Sequence, residues 1–169
     1  VAMASPARLL RRVTLSLAGR LPTPEELAGG LDSALDALMR EDAFYERLKE
    51  GFNDILLTKG FEGNGEDALS YDHFEKTRHW TQKHDLSSIP EKERQKAGYK
   101  LSDDYRAALH REPLELIAFI VRNGRPFTDI ATADYFMASP YTARGYGIFE
   151  TLKDKFKNPE DPFEYVQAR

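Results

Sequence analysis

The sequence predicts a mainly α-helical protein, and three observations support this. Apolar residues recur at spacings of three and four in several segments, as they do on one face of a helix. Proline and glycine stand at the expected starts and ends of these segments. No alternating apolar–polar pattern longer than a few residues occurs. We therefore expect a single irregular multi-helix domain over residues 1–169, with proline and glycine turns and one long polar loop excursion.

The start of the chain carries the clearest helix boundaries. Ser5 and Thr23 are good N-cap residues, and each is followed by a proline at the first helical position. Glu26 stands three residues after Thr23, which is typical of a capping box. Gly19 ends the first helix because glycine tolerates a left-handed conformation. A glycine pair interrupts the second helix, and the helical pattern resumes over 31–40.

The rest of the chain is assigned from the same signals. The further predicted helices are 43–57 with Asp42 as N-cap, 71–83, one from Ser102 or Asp103, one opened by Pro113 and ended by Gly124, 128–137, and a short one capped by Ser139. The predicted irregular segments are the loop 58–67, the exposed polar excursion 85–98 and a tail over 153–169.

Composition excludes several classes of function. The net charge of −4 argues against a general nucleic-acid binder, because phosphate binding needs a basic face. No apolar run approaches the roughly 18 residues of a membrane-spanning helix. The chain has no cysteine, which excludes disulfides, thiolate metal sites, covalent haem attachment and cysteine nucleophiles within it. Its first residues, 1–5, contain neither an initiator methionine at position 1 nor an apolar signal segment, so we expect a segment of a longer protein or a processed product.

Three stretches carry a resemblance to a known group of proteins. The first, 11–26, has the sequence RRVTLSLAGRLPTPEE and resembles the opening of uncharacterised domains in large secreted proteins of planctomycetes, myxobacteria and relatives. The other stretches similar to this group are 111–118 with 125–130, and 132–135 with 141–147.

The resemblance implies a cellular setting but no reaction. Such domains often accompany a c-type cytochrome domain, so the resemblance implies a helical, exported, periplasmic or envelope-associated protein near haem-based electron transfer. This chain lacks a Cys-x-x-Cys-His motif, and a covalent haem would have to lie on a partner or on another domain. No cofactor is therefore expected within the chain, and the group offers no catalytic residues to carry over.

The histidines are weak candidates for haem ligation. His79 and His84 would point about 140° apart on an ideal helix, so they do not converge on one ligand position. His110 stands apart from both. The alternative is that these are exposed or locally hydrogen-bonded histidines, the first two beside Trp80. A single axial ligand supplied to a partner's haem remains open, and no metal site is predicted.

The acidic residues favour helix starts over catalysis. Asp103 and Asp104, and likewise Glu112 and Glu115 around Pro113, stand where a carboxylate interacts favourably with a helix N-terminus. Glycosidases need two carboxyl groups held at a defined separation, and nothing in the sequence places such a pair. No phosphate-binding glycine loop or Ser-His-Asp order is visible, so no catalytic residue is predicted.

A tyrosine-rich segment over 134–147 is the strongest candidate for a binding surface. Tyrosine and arginine are enriched at interface hot spots, because they bury a large area and keep a polar group. The alternative is a loop packed on its own core, with Arg144 paired to Asp134. The predicted interface residues are Asp134, Tyr135, Tyr141, Arg144 and Tyr146.

These observations favour an interaction or structural module over an enzyme. We expect a module of an exported, cell-envelope-associated assembly, docked on a protein partner or on the remainder of its own polypeptide. The alternative is an enzyme domain, either a hydrolase of extracellular polymers or a redox accessory.

Overall fold

The mainly α-helical fold is confirmed in a computed structural model that describes residues 5–60 and 62–169. The expectation for the N-terminus falls largely on residues 1–4, which lie outside this range, as does Phe61 of the predicted loop. The helices are α1 (Pro6–Ala18), α2 (Pro24–Gly29), α3 (Leu31–Leu38), α4 (Asp42–Leu56), α5 (Gly65–Ala68), α6 (Trp80–Lys83), α7 (Glu91–Arg122), α8 (Asp129–Thr132), α9 (Pro140–Tyr146) and α10 (Phe149–Leu152). Short 3-10 turns lie at Thr58–Gly60, Asp72–Phe74 and Lys153–Lys155, and the strands are β1 (Phe136–Ala138) and β2 (Val166–Ala168).

Local side-chain chemistry fixes the first helices as predicted. Gly19 ends α1 with a φ of 68°, and the Thr23 hydroxyl accepts a hydrogen bond from the Glu26 backbone N–H at 3.3 Å. The Glu26 carboxylate accepts in return from the Thr23 N–H at 2.7 Å, which completes the capping box. The Arg20 guanidinium binds Glu26 at 2.6 Å and Glu41 at 2.5 Å. Arg20 thereby joins the turn before α2 to the start of α4 and holds the pKa of Glu26 at about 2.

A single helix of 32 residues, α7, is the spine of the fold. The predicted helix starts at Ser102 or Asp103 and at Pro113 were wrong, because all three residues lie inside α7. Proline in a helix interior removes one hydrogen bond and crowds the preceding turn. Tyr165 binds this part of α7 from far along the chain, since its hydroxyl donates to the Ala108 carbonyl oxygen at 2.7 Å, one residue before the Leu109 carbonyl that Pro113 leaves without its helical donor. The polar excursion is also shorter than predicted, because helix begins at residue 91.

Replacing Tyr165 with phenylalanine is expected to lower the free energy of unfolding by about 1 kcal/mol, the usual net value of a hydrogen bond. The ring keeps its packing, and only the hydroxyl that serves the Ala108 carbonyl is lost. Urea unfolding followed by circular dichroism measures the change. Tyr99→Phe is the control, because Tyr99 is 65% exposed and lies on α7, the helix that contains Ala108. Equal stability of the two variants would contradict this role of Tyr165.

The C-terminal part departs from the prediction in one region. Only Asp129–Thr132 of the predicted helix 128–137 is helical, and the residues Phe136–Ala138 form β1 instead. This strand pairs antiparallel with β2, which places Phe136 opposite Ala168. Strands of three residues are too short to show an alternating apolar–polar pattern, and the sequence alone therefore places β2 in the irregular tail. Ser139 caps α9 as predicted.

The core is built around Tyr105, which has no exposed surface. Its ring lies between two helices that each present a glycine to it. A Cβ atom at Gly65 would lie 2.7 Å from the ring, and one at Gly145 would lie 2.0 Å from the Tyr105 hydroxyl oxygen. A second apolar cluster packs β1 and β2 against α9 and α10 and contains Ala138, Ala143, Leu152, Phe156 and Ala168. Within 5–60 and 62–169, no helix has both the length and the apolar character needed to cross a bilayer.

Candidate functional site

The predicted interface segment is divided between the protein interior and its surface. The start of α9 is fixed by Ser139, whose hydroxyl accepts from the Thr142 N–H at 3.3 Å while both residues are fully buried. Tyr135 is only 4% exposed and Tyr141 only 6%. The Tyr135 hydroxyl donates to Asp129 at 2.8 Å. The two tyrosines therefore present little surface to a partner in this conformation.

Arg144 and Asp134 lie in different surroundings and do not pair with each other. The Arg144 guanidinium lies 4.2 Å from the centre of the Phe149 ring and binds Glu160 at 3.0 Å. Asp134 is exposed and lies 3.7 Å from Arg169. Of the predicted interface residues, Asp134 is exposed and Arg144 and Tyr146 are partly exposed, and a partner for them stays a prediction.

Tyr146 forms one wall of a cavity of about 450 Å³ between α7, α9 and β1. This cavity is called the aromatic pocket below. Phe74 and Phe136 each lie against the Tyr146 ring, with ring centres 5.6 and 5.5 Å from it. Ionisable groups complete a lining that consists of His73, Phe74, Glu112, Phe136, Tyr146, Ile148 and Arg169.

Glu112 lies at the base of the aromatic pocket and has an altered acidity. The Tyr146 hydroxyl donates to Glu112 Oε2 at 2.5 Å. Glu112 Oε1 is buried and has no hydrogen-bond partner of normal geometry among the described residues. Burial raises the pKa of Glu112 to about 8, against the opposing effect of hydrogen bonds from Thr142 and Tyr146. At neutral pH this carboxyl group is mostly protonated, and it raises the pKa of Tyr146 in addition to the effect of burial.

The sequence interpretation missed Glu112 because it assigned this residue to a helix start. The signal that could have found it is its spacing within α7. Tyr105, Ala108 and Glu112 follow one another at intervals of three and four, so the carboxyl group lies on the buried stripe of the helix. A carboxyl group there must be paired, or it must change its pKa.

The described lining of the aromatic pocket contains no paired carboxylates. Among the described residues that line it, Glu112 is the only carboxylic acid. Glycoside hydrolysis by two carboxyl groups needs a second one across the scissile bond. The arrangement supplies binding walls, one neutral acid and two basic side chains, which suits recognition better than acid–base hydrolysis.

The candidate haem ligands lie in separate places. His79 Nδ1 lies 3.4 Å from the Gln82 amide nitrogen, and His84 packs edge-on against Trp80. His110 lines a different cavity, together with basic side chains of α7. No group of three metal-ligating side chains occurs in the described part of the chain. Axial ligation of a partner's haem by one of these histidines stays a prediction.

A second candidate surface lies between α1 and α4 and is called the apolar groove below. Its volume is about 340 Å³, and its exposed lining is mostly apolar. The end of α4 extends this surface, since Ile55 is 73% exposed and Leu57 is 68% exposed. The groove is lined by Ser16, Leu17, Phe44, Arg47, Leu48, Gly51, Phe52 and Ile55.

Comparison with known proteins relates the middle of the chain to one family. The comparisons with curated proteins and with solved structures found no match. The aromatic pocket lies almost wholly within residues 66–148, since Arg169 is its one described lining residue outside this range. Residues 66–148, slightly less than half of the chain, match the family model PSD4, described as a protein of unknown function (DUF1592), so this part is similar to an uncharacterised domain.

Proposed function

We propose that this chain is an interaction module of an exported, cell-envelope-associated assembly, and that it docks through the apolar groove. The resemblance of the first helices to domains of secreted, cytochrome-linked proteins supports the setting. In that setting a haem would belong to a partner or to another domain of the same polypeptide.

The observation that carries the proposal is the exposure of large apolar side chains along α4. Ile55, Leu56 and Leu57 are consecutive residues, and each leaves nearly half or more of its surface exposed. Phe127 packs on Phe52 of α4, with the two ring centres 5.9 Å apart, and is itself 59% exposed. Contiguous apolar surface of this kind marks interaction sites in stable proteins.

The chemistry of the groove favours an amphipathic helix with acidic residues beside its apolar stripe. A groove between two helices suits the apolar face of a third. Arg47 lines the groove, and Arg12 lies one turn before Ser16 on the same face of α1. Arg12 is exposed and has no ion pair within the described residues, while Arg47 binds Glu50 at 2.9 Å in an exposed pair that contributes little. These two cations complement carboxylates on the partner, which helps to set its orientation.

Site-specific crosslinking of the full-length polypeptide in its source cells tests this proposal. The photoreactive residue p-benzoylphenylalanine replaces Ile55 in the groove, and in a matched control it replaces Glu93, which is exposed on α7. We expect the probe at Ile55 to join one defined peptide, on a partner or elsewhere in the same polypeptide. This peptide should have an apolar stripe flanked by acidic residues, and Leu48→Arg should abolish its capture.

Two outcomes would reject the docking surface. One is the same set of products from both probe positions, which would indicate random collision. The other is no product at Ile55 together with a monomeric native mass. A monomer that released sugars from extracellular polysaccharide would favour the hydrolase alternative instead.

A further inference from the structure

The aromatic pocket has the composition of a ligand site and is distinct from the apolar groove. Sites for small molecules have volumes of roughly 300 to 1,000 Å³, with apolar walls and a few polar groups that orient the ligand. The aromatic pocket, at about 450 Å³, lies within this range. Its polar lining groups are Glu112, His73 and Arg169, and they differ in burial, since Glu112 Oε1 is buried and the Arg169 side chain is 71% exposed.

The walls select the shape of the ligand. Phe136 meets the Tyr146 ring at 88°, and Phe74 meets it at 58°. Rings placed at such angles offer both faces and edges to a guest ring, and these are the preferred geometries for aromatic pairs. Ile148 adds an aliphatic side to this set. A flat, ring-shaped apolar group therefore fits these walls best.

The base of the pocket does not strongly favour a cationic ligand group over a neutral one. The Tyr146 hydroxyl already occupies Glu112 Oε2, and Oε1 is buried. The raised pKa of Glu112 keeps this carboxyl group mostly uncharged at neutral pH. The base is thus a neutral polar surface rather than a counter-ion for an ammonium group.

Arg169 supplies the charge that selects the other end of the ligand. Its side chain is 71% exposed, and its contact with Asp134 is long, at 3.7 Å between two exposed groups. An exposed ion pair of this length contributes little, so the guanidinium is available to a stronger partner. Guanidinium groups bind carboxylates through two parallel hydrogen bonds.

From this combination we propose that the aromatic pocket binds a small aromatic carboxylate, with its ring packed against the Phe136 and Tyr146 rings and its carboxylate on Arg169. The proposal does not depend on the docking function of the apolar groove, which lies on other helices. The matching family segment contributes the walls and the base, and β2 brings Arg169 to them.

Three probes that share one ring test the proposal. They are 4-hydroxyphenylacetate, its neutral amide 4-hydroxyphenylacetamide, and the cation tyramine. Titration of the isotope-labelled 169-residue chain, followed through the backbone amide signals of Tyr146 and Ile148, gives the dissociation constants. We expect the carboxylate to bind about tenfold more tightly than the amide, which is the discrimination of one good charged contact. Tyramine should bind more weakly than both.

Two substitutions locate the source of this preference. Arg169→Gln should reduce the affinity for the carboxylate to that for the amide, while Arg8→Gln, at an exposed arginine on α1, should leave the preference unchanged. Equal affinities for the three probes would overturn the proposal. It would also be overturned if no probe gave saturable shifts, or if Arg169→Gln kept the preference of the original chain.

Discussion

Replacing Gly145 with alanine is expected to destabilise the protein by about 3 kcal/mol, at the upper end of what overpacking a core costs. The new Cβ atom would lie 2.0 Å from the hydroxyl oxygen of Tyr105 and 2.8 Å from its Cζ atom. Tyr105 has no exposed surface and is held on its other side by Gly65, so it has no direction in which to move. Chemical denaturation followed by circular dichroism measures the loss.

Gly51→Ala is the matched control, because Gly51 also lies within a helix, but a Cβ atom added there would meet no other atom within 4 Å. Gly51→Ala should raise the free energy of unfolding by about 0.5 to 1 kcal/mol, since alanine forms helices better than glycine. Tyr105→Phe should partly restore Gly145→Ala, because it removes the atom that clashes most. A loss below about 1 kcal/mol in Gly145→Ala, within the ordinary range for single substitutions, would contradict the close packing around Tyr105.

The stability of the protein is expected to fall as the pH rises from about 5 to about 8, through the titration of Glu112. The pKa of Glu112 is raised to about 8 in the folded state, from a reference value of 4.5. Between these values the folded state binds more protons than the unfolded state, so each rise in pH favours unfolding. The contribution of one such group is at most about 1.4 kcal/mol for each pH unit in this window.

Comparison of the original chain with Glu112→Gln isolates this effect. Glutamine keeps the shape of the protonated acid but does not titrate, so the difference in unfolding free energy between the two proteins should change with pH as described. His110 gives an opposite slope, because burial lowers its pKa, and it cancels in the difference. The tyrosines that interact electrostatically with Glu112 are Tyr105, Tyr146 and Tyr165, and their raised pKa values keep them protonated throughout this window. Parallel profiles for the two proteins would rule out a buried protonated carboxyl group.

The sequence was sufficient wherever a structure depends on neighbours along the chain. The capping box of Thr23 and Glu26 and the cap at Ser139 are closed by residues three positions apart, and both were predicted. The left-handed conformation of Gly19 also depends only on the residue itself, because glycine has no side chain that opposes it. Interactions between residues this close in sequence can be recognised from a few consecutive residues.

It was insufficient wherever distant residues override a local preference. Pro113 is typical of a helix start, but α7 continues through it, and the Tyr165 hydroxyl binds the Ala108 carbonyl oxygen in the preceding turn from 57 residues away. The same error concealed Glu112, which the prediction placed at a helix N-terminus although its carboxyl group is bound to the Tyr146 hydroxyl. Tyr146 itself was selected from its residue type, while the walls around it depend on the pairing of β1 with β2.

The junction between α4 and α7 has a mechanical consequence. Helix α1 packs mainly on α3 and α4, and of these α4 is the one in extensive contact with α7. Much of that junction is polar, with Lys49 bound to Glu115 at 2.7 Å and Arg122 lying 4.1 Å from the centre of the Tyr45 ring. Tension applied to α1 by a docked partner would therefore reach α7 mainly through α4, across a polar junction that shares no residue with the Tyr105 core.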